Sequence, residues 1–136
     1  MIGMKRIVVA HDGTKAAFRA LLAATDLARN FGGRVTVLSV LPEGCFQREA
    51  KRKFGQGKCR DVMKGVVDLL RSEGVDGDTI ILPGEDPART ILNHAGSTGV
   101  DVVVIGARKR QAGRKNCWGS VSSRVASQAP CTVFVV

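Results

Sequence analysis

Two hydrophobic rhythms alternate along this chain, one with the period of a strand and one with the period of a helix, and few folds accept both. Lys5–His11 (KRIVVAH) is short, β-branched and almost continuously apolar, as a strand buried on both faces requires. Asp12-Gly13-Thr14 breaks it. From Thr14 onward Ala17, Leu21, Ala24, Leu27, Ala28 and Phe31 recur at helical spacing, and Gly32-Gly33 closes the segment. Arg34–Val40 (RVTVLSV) then reads as a second strand.

Residues 41–57 (LPEGCFQREAKRKFGQG) mix Pro, Gly and charge, and are expected to form a long connection with at most a helical turn. Val62, Val66, Leu69 and Leu70 mark a second helix that ends near Gly74. Thr79–Leu82 (TIIL) is a third strand, closed by Pro83-Gly84. Asp86-Pro87 opens a third helix with aspartate as N-cap and proline at the first helical position. Ile91, Leu92 and Ala95 supply its apolar stripe, and Gly99 ends it. Asp101–Ile105 (DVVVI) is apolar enough for a central strand. Ser120–Gln128 reads as a fourth helix and Cys131–Val136 (CTVFVV) as the last strand.

Helices between successive strands imply parallel pairing with right-handed crossovers, a doubly wound three-layer α/β sandwich. A single domain is expected over residues 1–136. In such sheets ligands sit beyond the carboxyl ends of the strands, where the strand order reverses. The connections Asp12–Thr14 and Gly106–Trp118 are therefore the candidate binding loops. The apolar final strand would leave an open edge, which a second copy of the chain could cover.

Composition narrows the classes. No apolar run approaches the roughly 18–20 residues that span a bilayer, and Ile7–Ala10 is too short for the apolar core of a secretory signal. The expectation is a cytoplasmic protein with no membrane partner. Cys45, Cys59, Cys117 and Cys131 lack CxxC spacing, so free thiols are expected rather than a zinc site or a disulfide framework. The net charge of +9 is concentrated in two places. Residues 43–64 hold seven Lys/Arg against three Asp/Glu, and residues 106–124 hold six against none. Such patches favour anionic partners, phosphates first.

Known phosphate motifs fail on spacing. A P-loop needs GxxxxGK[ST], whereas Gly113 and Gly119 enclose five residues and Ser120 follows directly. A dinucleotide fingerprint after the first strand would need more than Gly13. The histidines are His11 and His94, and no GxSxG elbow accompanies them. What remains is a basic loop, Ile105–Ser120, that ends in Gly119-Ser120 at a helix N-terminus, where free N–H groups and the helix dipole favour an anion. Ser120 reads equally well as an N-cap. Gly106 leaves the fourth strand where a side chain would block a ligand, or where a turn simply needs glycine.

Taken together, IVVAHDGT (7–14), TVLSV (36–40), GEDPARTIL (84–92), DVVVIGARKR (101–110) and GSVSSRVASQAPCTVFVV (119–136) resemble a universal stress protein domain over essentially the whole chain. The resemblance implies a five-stranded parallel sheet of order 3-2-1-4-5 with four helices, and a homodimer through the last strand, residues 131–136. It also implies ATP, with Mg2+ as an accompanying ion, through the spacing G-x2-G-x9-G-[S/T]. Gly106, Gly119 and Ser120 match that spacing, and Lys109 stands at the second glycine. The implied nucleotide site is Ala10, Asp12, Val40, Gly106, Arg108, Lys109, Gly119, Ser120 and Val121. In it Asp12 meets the ribose or adenine side and Val40 the adenine ring, while Gly106, Gly119, Ser120 and Val121 serve phosphates and ribose. If the backbone at 109 needs a positive φ, Lys109 costs on the order of 1–2 kcal/mol, and a lost phosphate contact adds ~1–3 kcal/mol. An ammonium beside a triphosphate returns a comparable amount. Lys109 thus either replaces a glycine contact with a charge or closes the site.

Three functions follow. The first is an ATP-binding stress-response module without dedicated catalysis. The second is a nucleotide-independent dimer whose basic segments bind protein or, without base specificity, nucleic acid. In the third, His11-Asp12-Gly13-Thr14 serves a nucleotidyltransferase related to the HxGH type, with Thr14 at the second histidine, or a slow ATPase.

Overall fold

The computed structural model describes residues 3–51, 58–107 and 120–136. Their order is β1 (Arg6–Ala10), α1 (Lys15–Phe31), β2 (Arg34–Leu41), α2 (Glu43–Lys51), α3 (Lys58–Ser72), β3 (Gly77–Pro83), α4 (Pro87–Thr98), β4 (Val102–Ile105), α5 (Ser120–Gln128) and β5 (Thr132–Val135). The five strands form one parallel sheet of order β3-β2-β1-β4-β5.

Alternation along each strand divides the core into two layers. Ile7, Val9, Val35, Val37, Val102 and Val104 face α1 and α3. Val8, Leu38, Val103 and Ile105 face α4 and α5. All four β4 residues are buried, as a central strand should be. Helix α1 reaches the sheet through small residues, with Ala20, Leu21, Ala24 and Ala28 buried, which allows a close approach of backbone to sheet. Phe31, read with the apolar stripe of α1, is instead 52% exposed. The last turn of the helix carries it clear of the core.

The termini follow the expected chemistry. Thr14 has extended backbone and its hydroxyl accepts from Ala17 N, while Gly32 at φ 66° closes α1. Asp86 caps α4, Pro87 follows it, and Gly99 at φ 67° ends it.

The expected count of four helices is corrected to five. Residues 43–51, read as part of a connection, form α2. Pro42 lies just before the helix and Gly44 in its first turn, so neither interrupts the body. The amide of Phe46 donates to Pro42 O at 2.9 Å, and the amide of Glu43 donates to the Glu85 carboxylate at 2.9 Å. That second bond comes from a residue far along the chain, which local sequence does not reveal. The basic segment 43–64 is consequently helical over 43–51 and 58–64. Among the described residues no helix is long and apolar enough to cross a membrane.

Candidate functional site

The strand order turns back between β1 and β4, where Ala10 pairs with Ile105. Beyond these residues the chain leaves β1 through the turn 11–14 and leaves β4 through Gly106, and a cavity of about 260 Å3 opens between them. Ala10, Asp12, Val40, Gly106, Ser120 and Val121, all expected at the site, line this one cavity. Arg108, Lys109 and Gly119 lie outside the described residues, as do Cys117 and Trp118.

Each element has a reason to be there. The turn 11–14 is tied at both ends. His11 N donates to Leu38 O at 2.9 Å, continuing the β1–β2 ladder. Thr14 N and Thr14 Oγ1 both donate to Asp12 Oδ1, at 3.1 and 2.6 Å. Asp12 thus organises its own turn while its carboxylate borders the cavity. Asp12 is thus both a turn aspartate and a lining residue of the cavity.

Gly106 has a packing reason independent of any ligand. A Cβ there would stand 2.4 Å from Ala16 O and 2.5 Å from Ala16 C. Those are backbone atoms in the first turn of α1, which cannot rotate away. The glycine therefore lets α1 lie against the end of β4.

Helix α5 is described from Ser120 to Gln128, and residue 119, on which the N-cap reading of Ser120 turns, lies outside the described residues. The first-turn N–H groups of α5 have no intrahelical acceptor, and the cavity runs along Ser120, Val121 and Ser122. Arg124 Nη1 donates to both oxygens of Asp86 at 2.8 Å, which locks α5 to the start of α4. This guanidinium holds the Asp86 carboxyl below the usual carboxylate range.

Sequence reasoning missed part of the lining. Leu38 and Val40 share one face of β2, a two-residue spacing that was available to read. Pro87 and Ile91 come from α4, and their placement over the cavity depends on how α4 packs. Ser122 is a buried hydroxyl within the wall. Among the described lining residues Asp12 carries the sole formal charge at neutral pH. The walls are otherwise apolar with a few hydroxyls, as in small-molecule sites.

His11 is 3% exposed and lines the cavity beside Asp12. Its Nδ1 accepts the Gly13 N–H at 3.1 Å, and its ring packs edge-on against Phe18 with centroids 4.9 Å apart. Its Nε2 is buried.

The remaining thiols are packing groups. Cys45, Cys59 and Cys131 are half-buried and free. Burial pushes the Cys59 and Cys131 thiols above their ordinary range, so they stay protonated at neutral pH.

Comparison with known proteins extends this picture. The model of the universal stress protein family matches residues 3–136. The stress response protein NhaX of Bacillus subtilis is 27% identical, over 100% of this chain and 99% of its own. A solved universal stress protein from Archaeoglobus fulgidus superposes with a TM-score of 0.79 at 30% identity, covering 96% of this chain and 97% of that one. Another structure of an Archaeoglobus fulgidus universal stress protein, in complex with dAMP, gives 0.74 at 29% identity, covering 99% and 98%.

Proposed function

The chain belongs to the universal stress protein family, and on that premise we propose that it is a nucleotide-binding regulatory module, with ATP as its ligand and Mg2+ as the accompanying ion. The observation that carries this reading is the convergence of Ala10, Asp12, Val40, Gly106, Ser120 and Val121 on one cavity at the reversal of strand order. The complex of a relative with dAMP supports the same ligand class.

The division of labour follows from chemistry. Leu38, Val40 and Ile91 offer an apolar wall for a base. Asp12 offers a carboxylate acceptor for ribose hydroxyls. The first turn of α5 offers N–H donors and the positive end of a helix dipole for phosphate. Arg108, Lys109 and Gly119 are assigned to the phosphate side, with Lys109 supplying charge in place of a glycine. No side chain is assigned a catalytic role. Binding instead shifts the chain between partners or conformations, and residues 131–136 pair with a second copy to make a homodimer.

Ser120→Glu tests the site. A carboxylate in the first turn favours the helix but opposes a phosphate, so ATP affinity should fall about tenfold or more, with thermal stability retained. Equal ATP affinity in the two proteins would move the phosphates away from α5. If neither protein binds ATP and the wild type binds random duplex DNA with steep salt dependence, the basic segments carry the function instead.

A further inference from the structure

We propose that His11 is the positioning residue of this site: as a neutral ring it holds the turn 11–14, and with it the Asp12 carboxylate, and protonation of the ring releases that turn. The inference rests on the nucleotide reading for its consequence, and on the described geometry for its cause.

Three hydrogen bonds fix His11. Its N–H donates to Leu38 O at 2.9 Å, and its carbonyl accepts from Ser39 Oγ at 2.5 Å. Its ring Nδ1 accepts from Gly13 N at 3.1 Å. The third bond spans Asp12, so the residue facing the cavity sits between two anchored neighbours. Gly13 has φ +84°, a left-handed turn conformation that glycine permits. Because an N–H donates to Nδ1, the ring proton sits on Nε2 and the ring is neutral. Among the described residues Nε2 has no partner.

A second proton would go to Nδ1. It would turn the acceptor into a donor facing the Gly13 N–H, and place a charge in a pocket that is 3% exposed. The bond across Asp12 cannot survive that change. The surroundings offer limited relief. Helix α1 presents the Phe18 ring, and β2 presents Ser39, whose hydroxyl donates to the His11 carbonyl and lies within hydrogen-bonding reach of the Cys59 thiol of α3. Asp12 favours the charged ring but is outweighed by burial, so His11 titrates below the ordinary histidine value. At neutral pH the turn is intact, and acidification through the lowered folded pKa of His11 releases it.

The test compares ATP affinity of the wild type and His11→Asn at pH 8 and pH 5.5. An Asn amide oxygen can accept the Gly13 N–H and does not titrate. The ratio of affinities at the two pH values should be larger for the wild type than for His11→Asn, because only the wild-type ring gains a proton in the lower range. The titration of ATP itself is common to both and cancels. Identical ratios would overturn the proposal. A ligand-free readout separates this from the nucleotide reading: in wild-type NMR spectra the Gly13 amide must follow the titration of the His11 ring. If the chain binds no ATP at pH 8 the nucleotide reading fails, and the Gly13 amide alone then decides. An amide that ignores the ring titration overturns the positioning role.

Discussion

A methyl group on Gly106 would lie 2.4 Å from the carbonyl oxygen of Ala16. Gly106→Ala should therefore destabilise the fold by about 1–3 kcal/mol through overpacking, whether or not any ligand is present. Urea denaturation of the ligand-free protein measures this, and an unchanged midpoint would mean that α1 shifts freely. The position of this glycine was legible in the sequence, but its reason was not, because the reason is the backbone of another element. His11 behaved similarly. The sequence showed a histidine beside an aspartate, while its burial and its bond to Gly13 emerge only when α1 covers the end of β1. Its titration also has a stability consequence. The unfolded chain takes up a proton near the ordinary value of 6.5, before the folded ring does. The His11 contribution to stability is thus present above that value and declines as pH falls from it toward the lower folded pKa. A stability profile by chemical denaturation from pH 8 to 5 should lose this decline in His11→Asn.

Among the elements, α1 is held at its start by a single hydroxyl. Thr14 accepts from Ala17 N while donating to Asp12, so the cap of the helix and the wall of the cavity share one side chain. Thr14→Ala should cost about 1 kcal/mol, and Thr14→Ser should recover most of it. Thermal unfolding of the three proteins decides, and equal stabilities would remove Thr14 as a structural cap. Helix ends of this kind were readable in advance at Gly32, Asp86, Pro87 and Gly99, which stand where capping chemistry puts them, whereas Thr14 was read only as the end of a break and is the N-cap of α1. Helix α2 was not readable, because Pro42 and Gly44 suggested a loop and the Glu85 carboxylate that satisfies its first turn is distant in sequence. The lesson extends to the cavity. Its β1 and β4 walls follow from alternation and strand order, whereas Pro87 and Ile91 depend on where α4 is docked, partly by the Arg124–Asp86 pair.

At the scale of the molecule, an all-parallel sheet closes neither of its edges. The β5 edge carries Phe134 at 40% and Val136 at 39% exposure. In the proposed homodimer this edge is covered. Phe134→Asp, at an exposed position, should shift sedimentation from dimer to monomer without unfolding the chain, and a wild-type monomer would exclude the arrangement. The doubly wound topology explains why both the cavity and the open last strand could be anticipated: β1 and β4 meet at the reversal, and β5 is last in the sheet. It does not say what fills the cavity. That is decided by titrating nucleotide-stripped protein with ATP and Mg2+ in a calorimeter. The account predicts saturable binding of one nucleotide per chain, weakened about tenfold or more by Ser120→Glu. Absence of any saturable heat from the folded wild-type protein at millimolar ATP would contradict it.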